Sequence, residues 1–151
     1  MYIIKHLITG AAFALALFIF FPSIGMLNAS IILLATVLID ADHYLSYSLK
    51  KKNLNLKKAY FWFRERRFFK EGIKPHFVFH SVEVLIPLAV LSFTLFPVLK
   101  FVLLGFFFHI SFDLYKELTT RKFHFLKYSL VVYALTDFDA LIKKSLYFTT
   151  P

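Results

Sequence analysis

Long apolar segments alternate with short polar breaks along this chain. Apolar runs cover about residues 3–21, 24–40, 77–96 and 98–114, the first stopping at Pro22 and the third at Pro97. A straight transmembrane helix needs about 20 apolar residues, with about 17 as the lower end. The pattern therefore predicts four membrane-spanning helices. The second and fourth are short by that measure, and either extension past their polar ends or local thinning of the bilayer accommodates them. A polar stretch at about 44–75 separates the second and third runs. After the fourth run, residues of about 123–146 read as an amphipathic helix at the membrane surface, with a short fifth helix packed into the bundle as the alternative. The expected fold class is all-α: a polytopic integral membrane helical bundle, one domain over residues 1–151, with no internal repeat.

Composition agrees with this pattern. Of the 151 residues 59% are apolar, and the mean hydropathy of +0.67 is too high for a soluble domain of this size. A cleaved signal peptide over residues 1–29 is a competing reading, with Lys5 as its basic start and Asn28-Ala29-Ser30 as a poor cleavage site. The next apolar run follows at once, which favours a retained first span. The absence of cysteine rules out disulfides and thiolate metal sites, so any metal must be held by His, Asp and Glu.

Charge sets the expected orientation. The net charge is +9, and the stretch between Tyr44 and Pro75 carries ten basic residues against two acidic ones, a net +8. A basic run of this kind can mark a nucleic-acid surface. In so apolar a chain it reads instead as a cytoplasmic loop lying near anionic lipid headgroups. The aromatic residues 60–63, Phe68 and Phe69, interleaved with Arg64, Arg66 and Arg67, suit a helix in the headgroup region. The expected partners are the lipid bilayer and those anionic headgroups, with no nucleic acid. The expected location is the cell membrane, multi-pass, with both termini cytoplasmic.

That orientation places the chemistry-bearing residues on one face. His6 opens the first span, Asp40-Ala41-Asp42-His43 ends the second, His76, His80 and Glu83 open the third, and His109 and Asp113 end the fourth. Residues three or four apart share a helix face. His109 with Asp113, Asp40 with His43, and His76 with His80 and Glu83 are therefore each predicted to be convergent. Each has a structural alternative: ordinary solvation at a helix end, an ion pair or a capping role. Glu83 lies about two turns into its span, where an unpaired carboxylate is costly. His6 taken alone is interfacial, but Gly10 one turn on lets another helix approach it. His124, without an acidic neighbour, reads as surface. Together, four helix ends offer enough His and carboxylate ligands for two ions about 3.5–4 Å apart, the arrangement of two-metal phosphoester hydrolysis.

In these motifs and their order the chain resembles the membrane-bound metal-dependent hydrolases, the YdjM-like or YbcI-like inner-membrane proteins. The matching elements are His6 with Gly10, Asp40-Ala41-Asp42-His43, His80-Ser81-Val82-Glu83, and Gly105 to Asp113 with His109 between them, covering most of residues 5–115 in order. Ile39 stands where many members have Pro, and Val82 where one branch has Trp. The resemblance implies zinc-dependent hydrolysis, by the family's own likeness to zinc-dependent phospholipase C enzymes.

The sequence thus leads to an expected membrane-embedded, metal-dependent hydrolase of a phosphoester or phospholipid-like substrate. The expected cofactors are divalent metal ions, zinc in the first instance and up to two. His6, Asp40, His43, His76, His80, His109 and Asp113 are the candidate ligands. Asp42 and Glu83 are the candidate catalytic groups, acting as a general base, a further ligand or an orienter of a histidine. A metal or proton transporter and a non-catalytic scaffold stapled by a closed metal site are the alternatives.

Overall fold

A computed structural model describes residues 3–73, 75–119 and 129–131. The described residues form helices and turns, with no strand among them. Helix α1 (Ile3–Phe20) is followed by a single 3-10 turn, Pro22–Ile24, and by α2 (Gly25–Leu38). Pro22 suits the first position of that turn, because its ring presets φ and it has no N–H to leave unpaired. Gly25 leaves the turn at φ 71°, a conformation disfavoured for side-chain-bearing residues. Helices α3 (Ala41–Lys51), α4 (Leu56–Arg64) and α5 (Arg67–Lys70) follow, then α6 (Val82–Thr94) and α7 (Leu99–Thr119). Only a two-residue turn at Ile39 and Asp40 interrupts α2 and α3. Residues Pro22–Lys51 thus make one 30-residue helical stretch, long and apolar enough to cross a membrane. Helices α1 and α6 are apolar but shorter.

Two boundaries differ from the sequence pattern. The third apolar run becomes helical at Val82, five residues later than expected, because Ser81 is extended (φ −87°, ψ 145°). Residues 75–81 lie across α3 instead: the His76 N–H donates to Ser46 Oγ at 2.8 Å and the Phe79 N–H to Asp42 Oδ2 at 3.1 Å. Tertiary acceptors take the donors that a helical turn would have used. The fourth run continues to Thr119, past its apolar end. The expected tail helix of 123–146 and His124 lie outside the described residues, apart from 129–131.

Helix α2 packs against both α1 and α7, and α6 packs against α7. Two glycines set how close these helices come. A Cβ on Gly105 would stand 2.6 Å from the Ile32 carbonyl oxygen and 2.7 Å from the Ala35 Cβ. A Cβ on Gly10 would collide with the Thr36 hydroxyl and lie 3.1 Å from its Cβ. The backbones of α1 and α7 therefore rest directly on α2, as small residues allow.

The polarity of the bundle is inverted. Among the side chains buried most completely are His80, His109, Thr36, Asp42, Ser81 and Ser92, with Ile32 and Ile39 the apolar members. Large apolar side chains such as Ile4, Phe20, Leu27, Ile86 and Phe93 are instead exposed on the outside.

The basic stretch is helical and forms a cap. Asn55 starts α4 by accepting the Lys58 N–H at 2.9 Å, which satisfies one otherwise unpaired helix-start donor. The inner face of α4 packs Ala59, Trp62 and Phe63 against Tyr47 of α3 and Phe68 of α5. Glu71 Oε2 locks this aromatic cluster, accepting the Trp62 indole N–H at 2.6 Å and lying 2.9 Å from Lys51 Nζ. Burial pulls the Glu71 carboxyl upward, but the Trp62 and Lys51 hydrogen bonds and the Lys51 and Arg67 charges outweigh it and hold the group below the usual carboxylate range.

The glycine contacts yield a direct test. Gly105→Ala forces α7 off α2 at a backbone carbonyl that cannot move aside, and should destabilise the protein by about 1–3 kcal/mol. Gly10→Ala meets a side chain instead, so its cost should be smaller. Thermal unfolding of the purified variants checks the order, and equal stability of Gly105→Ala and wild type would contradict the close approach.

Candidate metal centre

The buried polar residues of the bundle gather where α1, the α2–α3 turn, the start of α6 and α7 meet. His6 comes from α1, Asp40 from the turn, and Asp42 and His43 from the first turn of α3. His80 comes from just before α6, and His109 and Asp113 from one face of α7. His6, Asp40, His43, His80 and His109 are buried, and the Asp113 side chain is 14% exposed.

Asp40 stands at the centre. Its Oδ1 is 3.3 Å from His43 Nδ1, 3.6 Å from His109 Nε2 and 3.8 Å from His80 Nε2. Asp113 closes the α1 side, with Oδ1 3.3 Å from His6 Nε2 and Oδ2 3.7 Å from His109 Nε2. The rings of His6 and His109 stack at 4.1 Å. Three overlapping groups each bring their ligand atoms within 4.8 Å of one another: His6, Asp40 and His109; Asp40, His43 and His80; His80, His109 and Asp113. Asp40, His80 and His109 each belong to two groups, so the six residues form one constellation able to hold a metal ion, or two adjacent ones.

The hydrogen bonds behind these rings favour that use. His109 Nδ1 lies 2.7 Å from the Thr36 carbonyl oxygen. A carbonyl only accepts, so Nδ1 carries the proton, and in the neutral ring Nε2 presents its lone pair. That Nε2 is buried and has no hydrogen-bond partner among the described residues. It faces oxygens of Asp40 and Asp113 at distances too long for a hydrogen bond. A lone pair and two carboxylates converging in a buried space repel one another unless a proton or a metal cation lies between them. The donor set therefore fits a divalent ion.

Asp42 lies behind the constellation. Its Oδ1 bonds His43 Nδ1 at 2.7 Å, and its Oδ2 bonds His80 Nδ1 at 2.9 Å and accepts the Phe79 N–H. One carboxylate thus holds two imidazoles by Nδ1; the His80 Nε2 is left facing Asp40, while the His43 nitrogen beside Asp40 is that same Nδ1. Both Asp42 oxygens are occupied by these bonds, the geometry of the histidine-orienting role among those that the sequence allowed. Phe63 and Phe77 wall the other side of His43, with ring centroids at 4.8 and 4.7 Å.

Six of the seven candidate ligands come together, and His76 does not. It is exposed, and because 75–81 is not helical, its spacing from His80 no longer implies a shared face. Glu83 also stands apart. Its carboxylate accepts the Ser129 hydroxyl at 2.6 Å and the N–H groups of Leu130 and Val131 at 3.0 and 3.2 Å. It holds residues 129–131 and is not among the groups that bring their ligand atoms together. The Thr36 carbonyl escaped sequence reasoning, since every residue has a carbonyl and no side chain marks the one that a fold selects. Comparison of the chain with family models, curated proteins and solved structures finds no match.

Asp42→Asn tests the orienting role. A carboxamide can accept from one ring but presents N–H to the other, whose proton must then move to Nε2, and in His80 that removes the nitrogen facing Asp40 as a ligand. Metal affinity should fall about 10–100-fold, measured by competition with a chelator. Unchanged affinity would mean that His43 and His80 do not depend on Asp42.

Proposed function

We propose that this protein is a multi-pass membrane hydrolase whose His and Asp constellation holds zinc at the cytoplasmic interface and acts on a phosphoester-containing, membrane-associated substrate. The observation that carries the metal assignment is the buried His109 Nε2, aimed at two carboxylate oxygens with no hydrogen-bond partner among the described residues. Support for the membrane reading comes from the inverted polarity, with His, Asp, Ser and Thr inside and large apolar side chains outside. Helices α1, α2, α6 and α7 are the proposed spans, and both termini and the basic cap lie on the cytoplasmic side. The resemblance to membrane-bound metal-dependent hydrolases rests on short motifs, and it points to the same chemistry.

His6, Asp40, His43, His80, His109 and Asp113 would hold the metal, with Asp40 placed to serve two ions at once. Bound zinc supplies Lewis acidity toward a phosphoryl oxygen and lowers the pKa of water toward neutrality. The chain's own residues do the rest. Asp42 and the Thr36 carbonyl orient the imidazoles. Phe63 and Phe77 exclude water from the His43 side. The half-buried Asp113 is the carboxylate placed nearest to solvent and so to an entering substrate. The basic cap would keep anionic headgroups near the interface.

Detergent-purified protein should contain bound divalent metal and hydrolyse a phosphoester lipid or a chromogenic phosphodiester, and a chelator should remove both properties. His109→Ala should lower metal content and abolish hydrolysis. A protein that binds no divalent ion under any condition would end the proposal, and bound metal without hydrolysis would leave a scaffold.

Orientation is tested separately, since the chain has no native cysteine. Ser23→Cys should react with an impermeant thiol reagent applied to intact cells, and Asn53→Cys should react only after permeabilisation. Labelling of position 53 from outside would place the centre on the opposite face.

A further inference from the structure

The cap holds a cavity of about 490 Å³, lined from α3 by Tyr47 and Lys51, from α4 by Lys57, Lys58, Phe61 and Trp62, and from the segment beyond by Glu65, Arg67 and Glu71. It lies apart from the metal centre. Phe63 stands between the two, with its ring 4.8 Å from that of Trp62 on one side and 4.8 Å from that of His43 on the other.

The charges lining this cavity are unequally committed. Glu71 is held by Lys51 and by the Trp62 indole. Glu65 is held by Arg67, whose Nε lies at 2.7 Å and whose second guanidinium contact is equally short. Both carboxylates of the lining are therefore neutralised from within. Lys57 and Lys58 remain, exposed in the first turn of α4, and among the described residues neither makes an ion pair. The cavity thus presents a rigid aromatic wall, two internally compensated ion pairs and a surplus of two ammonium groups. A phosphate monoester carries about −1.5 to −2 charge at neutral pH, which matches that surplus. Leu54, just before α4, and Leu56, its first residue, are 76% and 68% exposed and offer apolar surface beside the lysines.

We propose that this cavity is a second binding site, specific for a phosphate-bearing group, with Lys57 and Lys58 as its anion-binding pair and Trp62, Phe61 and Tyr47 as its wall. The phosphate comes either from a lipid headgroup or from a soluble phosphate. The site is built wholly from the cap, so it does not depend on metal at the constellation behind Phe63. It would hold an anionic group next to the centre without taking part in the reaction there.

The protein's single tryptophan, Trp62, lines the cavity and reports on it. The detergent-purified full chain is titrated with inorganic phosphate, and separately with phosphatidylcholine micelles containing or lacking phosphatidic acid, while Trp62 emission is followed. A saturable change is expected with phosphatidic acid. The same change with inorganic phosphate would assign a general phosphate site, and a change with the lipid alone would assign a headgroup site. The Lys57→Gln, Lys58→Gln double variant should weaken the apparent affinity roughly tenfold or more. Its metal content should stay at the wild-type level, as both lysines are exposed and neither belongs to the ligand groups. The absence of a saturable change with either probe would overturn the site, and so would equal affinity in wild type and double variant. Loss of metal in that variant would overturn its independence from the centre. Wild-type protein that binds the phosphate probe but no metal would uphold this site while ending the proposed hydrolase.

Discussion

Three helices meet at Thr36, and the rest of the molecule depends on how closely they do so. Its side chain fills the space left by Gly10 of α1, its backbone nitrogen would be 3.2 Å from a Cβ at Gly105 of α7, and its carbonyl receives His109 Nδ1. The backbone contact brings α7 near enough for that last bond. The bond then turns His109 Nε2 toward Asp40, one helical turn further along the same chain. A methyl group at position 105 would widen the α2–α7 gap at the very level from which the histidine is oriented. Helix packing and ligand geometry are thus one constraint in this protein.

The second consequence is the arrangement of polarity. A bundle that buries His, Asp, Ser and Thr and exposes Leu, Ile and Phe has to satisfy its polar groups internally, because an unpartnered buried polar group costs more than its hydrogen bond would contribute. Three buried imidazoles have Nδ1 engaged: His43 and His80 by Asp42, His109 by Thr36. In His80 and His109 the same bonds leave Nε2 facing Asp40. Satisfying the interior and preparing a metal centre are achieved by the same hydrogen bonds.

The cap adds a further layer. Its aromatic cluster covers His43 through Phe63 and Phe77, and its charges are turned to the opposite side, where Glu71 ties Trp62 to Lys51. An anionic group bound among those lysines would sit one aromatic layer from the constellation. The basic stretch is therefore more than a topological signal: it is folded, and it shields one wall of the centre.

The helices were legible because each apolar run is long and bounded by Pro or by charge, which is a local property. The gathering of His6, Asp40, His43, His80, His109 and Asp113 was legible because polar residues at the ends of apolar helices have few places to go. His76 and Glu83 fall outside the constellation for one shared reason. Their assignment assumed a helix running through 76–83, while the backbone donors of 76 and 79 are claimed by Ser46 and Asp42, more than 25 residues earlier in the chain. Glu83 then meets residues 129–131, a partner that no local pattern announces. The sequence by itself determined an all-helical chain and the residue types available to one end of it, because periodicity and ligand chemistry are written in side chains. Only the tertiary structure decided which oxygen of Asp42 meets which ring, that a Thr36 carbonyl orients His109, and where α6 begins. Those outcomes depend on backbone groups common to every residue and on distances between segments far apart in the chain.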